Sequence, residues 1–600
     1  MKSKYFNTAF SLAIVFMVAT LLGSCKKYLE VKPASSFDPS FVFSNVENTK
    51  KAVLGAYADL TGDNGYGIRL SMYYPLDDDI MMGQGGTPYP DGERRDIAHY
   101  NLTAANTQLA NPFNQLYNGV ERANLCIYYI PKMALYTNGT PNEIAELKRL
   151  HGEALTLRAI FYLELIRNWG DIPEQFIPSS LETNLYKGKT DRDSIYNILL
   201  DDLNVAKDLV PWRSAVAKDE RITQGAVRAL RARIALYRGG YSLRKNRLME
   251  RGSDYLTYYQ IAKDECAAIM ARAGDHTLNT SFRSIFKDYI CGRALDPSGE
   301  VMMEVAMDGG TSALGDSKLG YYNGPRSNNV GNSALTIMPN YFYMFDSTDL
   351  RRDVMCCVYN IANSSGQYNY TSPNRTLATL VDGKFRRDWI QPNVLASAAQ
   401  YFGVNWPMIR FSDVLLMYAE ADNEINNGPT AAAYDAINKV RRRGYGKPIN
   451  TVDASVDLPA GLTKATFFDA LVKERALEFG GEGIRKYDLI RWNLLATKIA
   501  QVKALLPVMA GRTAAPWNTY PTIMYFLPNV TTITYPGSFY KTVVTPAPAG
   551  YTANNWLHSS ITSTISTYYA VAFTPGKSEL LPLPQASVDA NPNLKQDYGY

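Results

Sequence analysis

Apolar residues recur at positions i, i+3, i+4 and i+7 in many separate segments of this chain, which is the spacing of one face of an α-helix. In residues 151–169 this face is interrupted only by Arg158, and residues 412–426 repeat the pattern. Short turns join neighbouring segments, so we predict an all-α fold in which helix pairs form a tetratricopeptide-like helical-repeat scaffold. The predicted helices span residues 45–60, 113–132, 151–169, 193–210, 223–238, 256–272, 412–426, 431–443, 465–479 and 484–496, with Asp193 and Thr223 as N-caps.

Long segments without helical periodicity separate these helices. Residues 61–112 and 305–340 are rich in Gly, Asn, Ser, Asp and Tyr, and residues 511–576 are nearly uncharged and rich in Thr, Pro and Tyr. Loops of this length in a compact protein are usually functional or disordered. Tyr outnumbers Phe by 42 to 22, and a ring that carries a hydroxyl suits contact with a wet, polar partner. We therefore predict that the long irregular loops bind a ligand or a partner.

The first residues of the chain are typical of an export signal. Lys2 and Lys4 precede an uncharged stretch over residues 9–22, and small residues lead to Cys25. The sequence Leu-Gly-Ser-Cys at residues 22–25 resembles a bacterial lipobox, which predicts a signal peptide over residues 1–24 and lipidation of Cys25. Acyl chains on this residue would anchor the protein to a membrane without spanning it. An ordinary secretory signal with an incidental Cys is the alternative.

The composition excludes several classes of function. The chain has 600 residues with 46% hydrophobic and 20% charged side chains, as in a globular protein. Its 62 basic and 57 acidic residues nearly cancel, which argues against a nucleic-acid partner. No apolar run reaches the roughly 18 residues of a transmembrane helix. The four histidines lie far apart in the sequence, which argues against a His-based metal site or proton relay.

The cysteines that follow Cys25 are odd in number and lack C-x-x-C spacing, which argues against a disulfide framework and against a zinc site. We predict that they are buried free thiols. For adjacent Cys356 and Cys357 a strained vicinal disulfide is the alternative. The full set is Cys126, Cys266, Cys291, Cys356 and Cys357.

A cluster of charged residues over 474–491 raises the question of catalysis. Glu474 and Glu478 are four residues apart on one helical face, so their carboxylates could lie as close as those of a glycosidase. Arg and Lys residues surround them in the sequence, however, and would keep both carboxylates ionised, whereas a general acid needs a raised pKa. We predict a structural ion-pair lattice, with a secreted all-α glycoside hydrolase as the enzyme alternative. The cluster contains Glu474, Arg475, Glu478, Glu482, Arg485, Asp488 and Arg491.

Two further motifs suggest bound ions. Three consecutive carboxylates, Asp77–Asp79, could hold a structural calcium, because hard cations prefer clustered oxygens. The alternating D-x-D-x-D-G loop is absent, so we favour the interpretation that these residues form a solvated turn or a helix cap. Residues 83–86 are glycine-rich but lack the Gly-Lys-Ser/Thr ending of a phosphate-binding loop. The sequence therefore predicts no cofactor, and the chain also lacks the G-x-S-x-G and H-E-x-x-H motifs of common hydrolases.

Several motifs occur in a fixed order from Cys25 to the C-terminus. Residues 153–173 read EALTLRAIFYLELIRNWGDIP, residues 409–421 read IRFSDVLLMYAEA, and residues 474–492 read ERALEFGGEGIRKYDLIRW. The chain closes with NPNLKQDYGY at residues 591–600. Together these motifs resemble the signature of the SusD/RagB family of nutrient-binding lipoproteins of the bacterial outer membrane.

The resemblance implies a fold and a biological role. The fold would be SusD-like, with tetratricopeptide-like helix pairs in an N-terminal region, residues 25–300, and ligand-side loops and closing helices in a C-terminal region, residues 301–600. An irregular subdomain would be embedded between helices. The protein would be lipid-anchored at the cell surface, bind glycans, and cover a SusC-like, TonB-dependent β-barrel transporter as a lid. Members of the RagB branch bind peptides instead, and the family is not known for catalysis.

The resemblance also places candidate ligand-binding residues. Sugar rings stack their apolar faces on aromatic planes, while polar side chains bond the hydroxyl edges. The family often carries a W-x-D-G-type loop before the helix that corresponds to residues 113–132. Here that loop has Tyr89 in place of Trp, with Asp91 and Arg94 as candidate edge contacts.

A second wall of the site should follow the segment at residues 300–305. The candidates there are the aromatic pair Tyr321 and Tyr322, expected to be exposed, with Asn323 beside them, and Tyr73 and Tyr74 would complete the arc. The alternative for each tyrosine is that it packs beneath its own loop.

The aromatic stretch over residues 517–573 could face the transporter, since Tyr and Trp are enriched at protein interfaces. Ligand contact is the alternative for this stretch. A third hypothesis for the function of the chain is that it is a pure scaffold, which stabilises its transporter without contacting the substrate.

Overall fold

The computed structural model describes residues 38–600 apart from a few short segments. Tyr89, Asp91, Cys25 and the predicted signal peptide therefore lie outside the described residues. The segments left out are residues 85–91, 217–220, 311, 329, 365–366, 372–374, 528–536, 542–546, 560, 562–564 and 566.

Long α-helices form most of the structure, as the apolar periodicity predicts. Each successive pair from α2 to α8 packs together along the chain, except that the irregular region lies between α6 and α7 in sequence. This is the neighbour-on-neighbour packing of a helical repeat, so the predicted all-α scaffold is confirmed. The longer helices are α1 (Val46–Tyr57), α2 (Thr107–Tyr129), α3 (Pro141–Trp169), α4 (Arg192–Leu209), α5 (Gln224–Arg238), α6 (Tyr255–Met270), α7 (Phe411–Ile425), α8 (Ala431–Gly444), α9 (Lys464–Phe479), α10 (Arg485–Arg491) and α11 (Leu495–Gly511).

Local sequence fixes where several of these helices begin and end. Helix α3 starts with a capping box, in which Thr140 and Glu143 satisfy each other's backbone N–H groups, and it stops at Gly170, whose φ is 78°. The predicted N-cap of α4 was two residues late, because Asp191 caps the helix by accepting from the backbone N–H of Asp193. Thr223 does occupy the N-cap position of α5, but its side chain makes no capping hydrogen bond.

The sequence pattern missed helix α11. Its residues are apolar on most sides and include Pro507, so no single stripe with a 3.6-residue period stands out. The segment at residues 61–112 is also more ordered than a loop, since it contains a π-helical turn, Arg69–Tyr73, and a short helix, Arg94–Ala98. Most of its described side chains before residue 84 are buried.

Small β-sheets form the embedded irregular subdomain. The largest has the strand order β1-β5-β9-β6, and β4 pairs antiparallel with β10 across a register irregularity. The strands therefore bring segments distant in sequence against the helical scaffold. They are β1 (Met81–Met82), β2 (Ser242–Leu243), β3 (Met249–Glu250), β4 (Val301–Val305), β5 (Thr336–Ile337), β6 (Cys356–Cys357), β7 (Asn360–Ser364), β8 (Gln367–Thr371), β9 (Val381–Asp382), β10 (Trp406–Arg410), β11 (Ile523–Phe526) and β12 (Thr552–Asn555).

A buried ion network joins this subdomain to the helices. Glu478 on α9 accepts from Arg410 at the end of β10 (2.8 Å) and from Arg443 on α8 (2.5 Å). Both arginines also donate to Glu300, just before β4, at 2.9 Å. Arg351 pairs with Glu474 at 2.6 Å and with Glu478 at 3.3 Å. The predicted ion-pair lattice over residues 474–491 is thus confirmed, and it extends well beyond that segment.

The cysteine prediction is also confirmed for the described part of the chain. The five cysteines after Cys25 are buried free thiols, and burial raises the pKa of Cys126 to about 12. Among the described residues no single helix has the length and apolar character to cross a membrane. The pair α10 and α11 passes such a test only when taken together, and these helices meet at 119°.

The ion network predicts a large difference between buried and exposed charge removal. Glu478→Gln leaves three buried arginines short of one carboxylate, so we expect the free energy of unfolding in urea to fall by about 3–5 kcal/mol. Lys51→Met is the control, because its pair with Glu47 spans 3.8 Å and the Lys51 side chain is 67% exposed; it should change stability by less than about 1 kcal/mol. Equal effects of the two substitutions would contradict this account of the network.

Candidate functional site

The three consecutive carboxylates at residues 77–79 are buried, which corrects the expectation of a solvated turn. Asp79 forms two 2.7 Å hydrogen bonds with Arg485 on α10. Asp78 accepts from the backbone N–H groups of Ile80 and Met81, and burial together with the charge of Asp79 raises its pKa to about 7. These carboxylates fix the loop before β1 to the scaffold.

Asp77 begins a chain of contacts that leads to the candidate ligand residues. Its Oδ2 lies 2.6 Å from Nδ1 of buried His99, and Nε2 of His99 lies 3.0 Å from the backbone O of Gln84. The Gln84 side chain in turn accepts from the hydroxyl of Tyr73 at 3.2 Å. Burial opposes protonation of His99, but the charge and hydrogen bond of Asp77 outweigh it and raise the His99 pKa. The position of Gln84 thus depends on a buried acid–histidine pair.

Arg94 gathers the predicted tyrosines into one cluster. Its Nη2 donates to the hydroxyl of Tyr322 at 2.9 Å, and its guanidinium lies 5.2 Å from the ring centre of Tyr73 and 5.4 Å from that of Tyr322. Tyr322 meets Tyr73 edge-on at 6.0 Å and Tyr321 edge-on at 5.3 Å. Burial raises the pKa of Tyr73 to about 12, although the Arg94 charge opposes the rise. The structure therefore brings together Arg94, Tyr73 and the adjacent pair Tyr321–Tyr322 from three separate segments of the chain.

The exposure of these rings differs from the sequence expectation. Tyr322 is buried rather than exposed, as is Tyr73, so both support the site from beneath. Tyr74 is also buried; its ring packs on Trp169 at 5.9 Å and its hydroxyl bonds the backbone O of Gln108. Asn323 is buried too, and donates to Asp382 at 2.7 Å. Among the predicted tyrosines that the structure describes, Tyr321 alone is half-buried rather than buried.

A second half-buried ring, Tyr401, lies beside this cluster and was missed by sequence reasoning. Its hydroxyl donates to Asp63 at 3.0 Å. Lys318 approaches Asp63 at 3.2 Å and lies 4.8 Å from the ring centre of Tyr401. Burial and the Asp63 charge raise the pKa of Tyr401, and Tyr322 contributes to the same shift. No motif marks residue 401 in the sequence, so only the fold reveals it.

The described part of residues 517–573 forms an aromatic group of its own. Tyr520 stacks on Tyr343 at 4.7 Å, and Trp517 and Tyr540 meet Tyr343 edge-on at 5.4 and 5.6 Å. Trp517, Tyr520 and Tyr540 are half-buried, whereas Trp556 is buried beneath them. Whether this group contacts the transporter or a ligand stays a prediction.

In the part of the chain that the structure describes, no group of three or more His, Cys, Asp or Glu side chains is arranged to hold a metal ion. The carboxylates of residues 77–79 have protein partners instead. What the loops present is aromatic rings with charged and amide groups beside them, which is the chemistry of a ligand-binding surface.

Comparison with known proteins gives consistent matches along the chain. Residues 355–600 match a family model described as the SusD family, and residues 27–236 match one described as starch-binding associating with outer membrane. A SusD-like protein of Formosa agariphila is 24% identical over 530 residues, covering 80% of this chain and 89% of the relative. A SusD-like protein of Bacteroides ovatus is 22% identical over 508 residues, covering 80% and 82%.

Solved structures share the fold. A SusD homolog from Bacteroides thetaiotaomicron superposes with a TM-score of 0.73 at 23% identity, covering 93% of this chain and 98% of that one. Surface glycan-binding protein A from the same organism, in complex with laminarihexaose, gives a TM-score of 0.61 at 18% identity, covering 92% and 99%. A laminarin-binding SusD-like protein gives 0.62 at 18% identity, covering 93% and 100%.

The Asp77–His99 pair predicts a pH dependence. Because its native pKa is raised, His99 contributes stability that is complete below about pH 6.5 and is lost as pH rises through the native value. Asp77→Asn removes the largest contribution that opposes burial and leaves the weaker ones of the Gln84 carbonyl and Asp96, so we expect the His99 pKa, followed by NMR, to fall and this part of the pH dependence of unfolding to shrink. His151 is the internal control, since burial holds its pKa at about 4 and the substitution should leave it there. An unmoved His99 pKa would refute the coupling.

Proposed function

Because the chain belongs to the SusD-like family, we propose that it is a lipid-anchored, cell-surface protein that captures glycans and passes them to a SusC-like TonB-dependent transporter. The matches to SusD-family models support the family assignment. One of the structures that share its fold holds laminarihexaose. That neighbour supports a glycan as the class of ligand and leaves the particular glycan to experiment.

The observation that carries this proposal is the pair of half-buried rings, Tyr321 and Tyr401, set among polar side chains. Because each ring is only half-buried, part of its surface is available to stack on a sugar face. Arg94 and Lys318 supply donors, and Asp63 supplies acceptors, for hydroxyl edges. The buried rings of Tyr73 and Tyr322 hold Arg94 in place from below. Tyr89 and Asp91, which lie outside the described residues, stay predicted contacts.

The buried carboxylates support capture without catalysis. Burial works to raise the pKa of Glu478, but the charges of Arg443, Arg410 and Arg351 outweigh it and hold that pKa well below its usual range. Glu478 therefore stays ionised and cannot donate a proton to a glycosidic oxygen. Its neighbour Glu474 is also buried and is held by Arg351. This pair fits a structural role better than the hydrolase alternative.

Delivery to a transporter and attachment to the membrane belong to the same proposal. The match to a model described as associating with outer membrane supports the location. The Leu-Gly-Ser-Cys sequence ending at Cys25 supports lipidation at that residue. A lipid-anchored binding protein stays beside its transporter, so captured glycan is released near the entrance of the barrel.

Glycan capture is tested by native gels cast with a panel of polysaccharides that includes laminarin. For residues 25–600 carrying Cys25→Ser we expect retardation by at least one polysaccharide. Tyr321→Ala and Tyr401→Ala should weaken that binding about tenfold each, because each removes a stacking face. Tyr89→Ala tests the contact predicted from the sequence. Tyr186→Ala, which removes a ring that is 57% exposed elsewhere, is the matched control and should bind as the parent does.

Retardation that survives both Tyr321→Ala and Tyr401→Ala would reject this site, and binding of peptides alone would favour a RagB-type subunit.

The membrane anchor is tested separately. In the full-length precursor, Cys25→Ser removes the only thiol at the predicted cleavage point, so we expect it to abolish labelling with a fatty-acid analogue and to release the protein from the membrane fraction. Cys126→Ser, at a buried thiol, controls for loss of another cysteine and should leave labelling intact. Continued labelling of Cys25→Ser would refute lipidation at this residue.

A further inference from the structure

A cavity of about 340 Å³ opens on the helical scaffold, apart from the loops that carry Tyr321 and Tyr401. It lies where the ends of four helices meet: the start of α9, the end of α10, the C-terminal part of α7 and the first turns of α6. Its size is at the lower end of the range for small-molecule pockets. The lining residues are Tyr241, Arg251, Tyr259, Glu424, Lys464, Ala465, Phe468, Arg491 and Trp492.

Aromatic rings are prominent among the residues that line this cavity. Phe468 on α9 and Trp492, after α10, meet edge-on with ring centres 5.4 Å apart. The guanidinium of Arg251, another lining residue, lies 5.0 Å from the ring centre of Tyr241 and 3.6 Å from that of Tyr255. Phe468 and Tyr241 are half-buried, so each keeps part of its surface for a ligand.

The floor of the cavity is fully paired. Arg491 is buried and bonds both Glu420, at 2.9 Å through Nη2, and Asp488, at 2.9 Å through Nε. The indole N–H of Trp492 also donates to Glu420 at 2.9 Å. The charges of the floor are thus neutralised within the protein, and the rim decides what charge a ligand would meet.

At the rim of the cavity, two cationic side chains share a single carboxylate. Glu424 on α7 is approached by both Lys464 (3.0 Å) and Arg251 (3.4 Å), and both contacts fall on the same oxygen, Oε1. Its Oε2 accepts no hydrogen bond from the described residues, and neither cation forms a salt bridge to a second carboxylate there. The side chains of Lys464 and Arg251 are 34% and 25% exposed. The rim therefore offers positive charge and one open acceptor.

We propose that this cavity is a second saccharide-binding site, specific for a sugar unit that bears a carboxylate or a sulfate. The acidic group pairs with Lys464 and Arg251, the ring hydroxyls donate to Glu424, and the apolar ring face packs on Phe468 or Tyr241. An acidic peptide side chain would satisfy the cations but brings no cluster of hydroxyls for the free carboxylate oxygen. The inference rests on glycan capture as the function of the protein and names a class of glycan for it.

The test uses small ligands that the cavity can hold whole. Digalacturonate is compared with its neutral methyl ester, and glucose 6-sulfate with glucose, by NMR titration of residues 25–600 carrying Cys25→Ser. The two pairs separate a carboxylate from a sulfate as the recognised group. We expect at least one acidic ligand to bind about tenfold more tightly than its neutral counterpart, because a charge-assisted contact is present only in the acidic form. The preference should shrink at high salt.

Substitutions at the rim should change the affinity in opposite directions. Lys464→Gln and Arg251→Gln each remove a cation and should weaken binding of the acidic ligand about tenfold. Glu424→Gln keeps a hydrogen-bonding oxygen but removes the competing charge, so it should tighten binding. Lys51→Gln makes the same charge change at an exposed position of α1 and is the matched control. Tyr321→Ala should leave these small ligands unaffected.

Three results would overturn the proposal. They are no preference for either acidic ligand over its neutral form, affinities that ignore Lys464→Gln and Arg251→Gln, and tighter binding of a glutamate-rich peptide than of either sugar at the same residues. If polysaccharide retardation in gels still depends on Tyr321, such a failure concerns only this cavity. If no polysaccharide is retarded at all, glycan capture itself fails.

Discussion

Buried arginines and carboxylates share one network at the junction between the helical repeats and the irregular subdomain. Arg410, at the end of β10, and Arg443, on α8, both donate hydrogen bonds to Glu478 on α9 and to Glu300, just before β4. Burying such charges is expensive unless every one is paired, so a fold that misplaces any of these elements loses several kcal/mol. The helices and strands must therefore all be correctly placed for every charge in the network to be paired.

Further buried acid–base pairs extend this constraint to the candidate site. Arg485 follows α9 by a short turn and holds Asp79, while Asp77 holds His99 and, through it, the backbone of Gln84. Gln84 then meets Tyr73, on which Arg94 lies. Each step is a contact between buried or half-buried groups, so the cluster is set before a ligand arrives. A preorganised site of this kind spends little of its binding energy on ordering its own side chains.

The sequence predicts the scaffold far better than it predicts the site, and the reason is the range of the interactions. Helix positions follow from apolar periodicity, which is a local pattern that extends over a few helical turns. Helix α11 was not predicted because its residues are apolar on most sides. The charges of residues 474–491 indicate a lattice, yet their partners Glu300, Arg410 and Arg443 are far away in sequence. Resemblance to a family selects Arg94 and Tyr321, which the fold does bring near one another. Which rings are buried depends on how separate loops pack, so the burial of Tyr322 and the place of Tyr401 emerge only from the structure.

The two candidate binding surfaces share one electrostatic arrangement. At the loops, Asp63 lies between Lys318 (3.2 Å) and Arg69 (3.5 Å), with the ring of Tyr401 alongside. At the scaffold cavity, Glu424 lies between Lys464 and Arg251 with Tyr241 alongside. In each place one carboxylate faces two cations next to a tyrosine, which leaves a surplus of positive charge beside an aromatic face. At the scaffold cavity, where Lys464 and Arg251 are both part-exposed, the proposed preference for an acidic sugar rests on this surplus. A polymer long enough to reach both proposed surfaces would gain from the high effective concentration of its second contact, so two modest sites can together retain a glycan more firmly than either site alone.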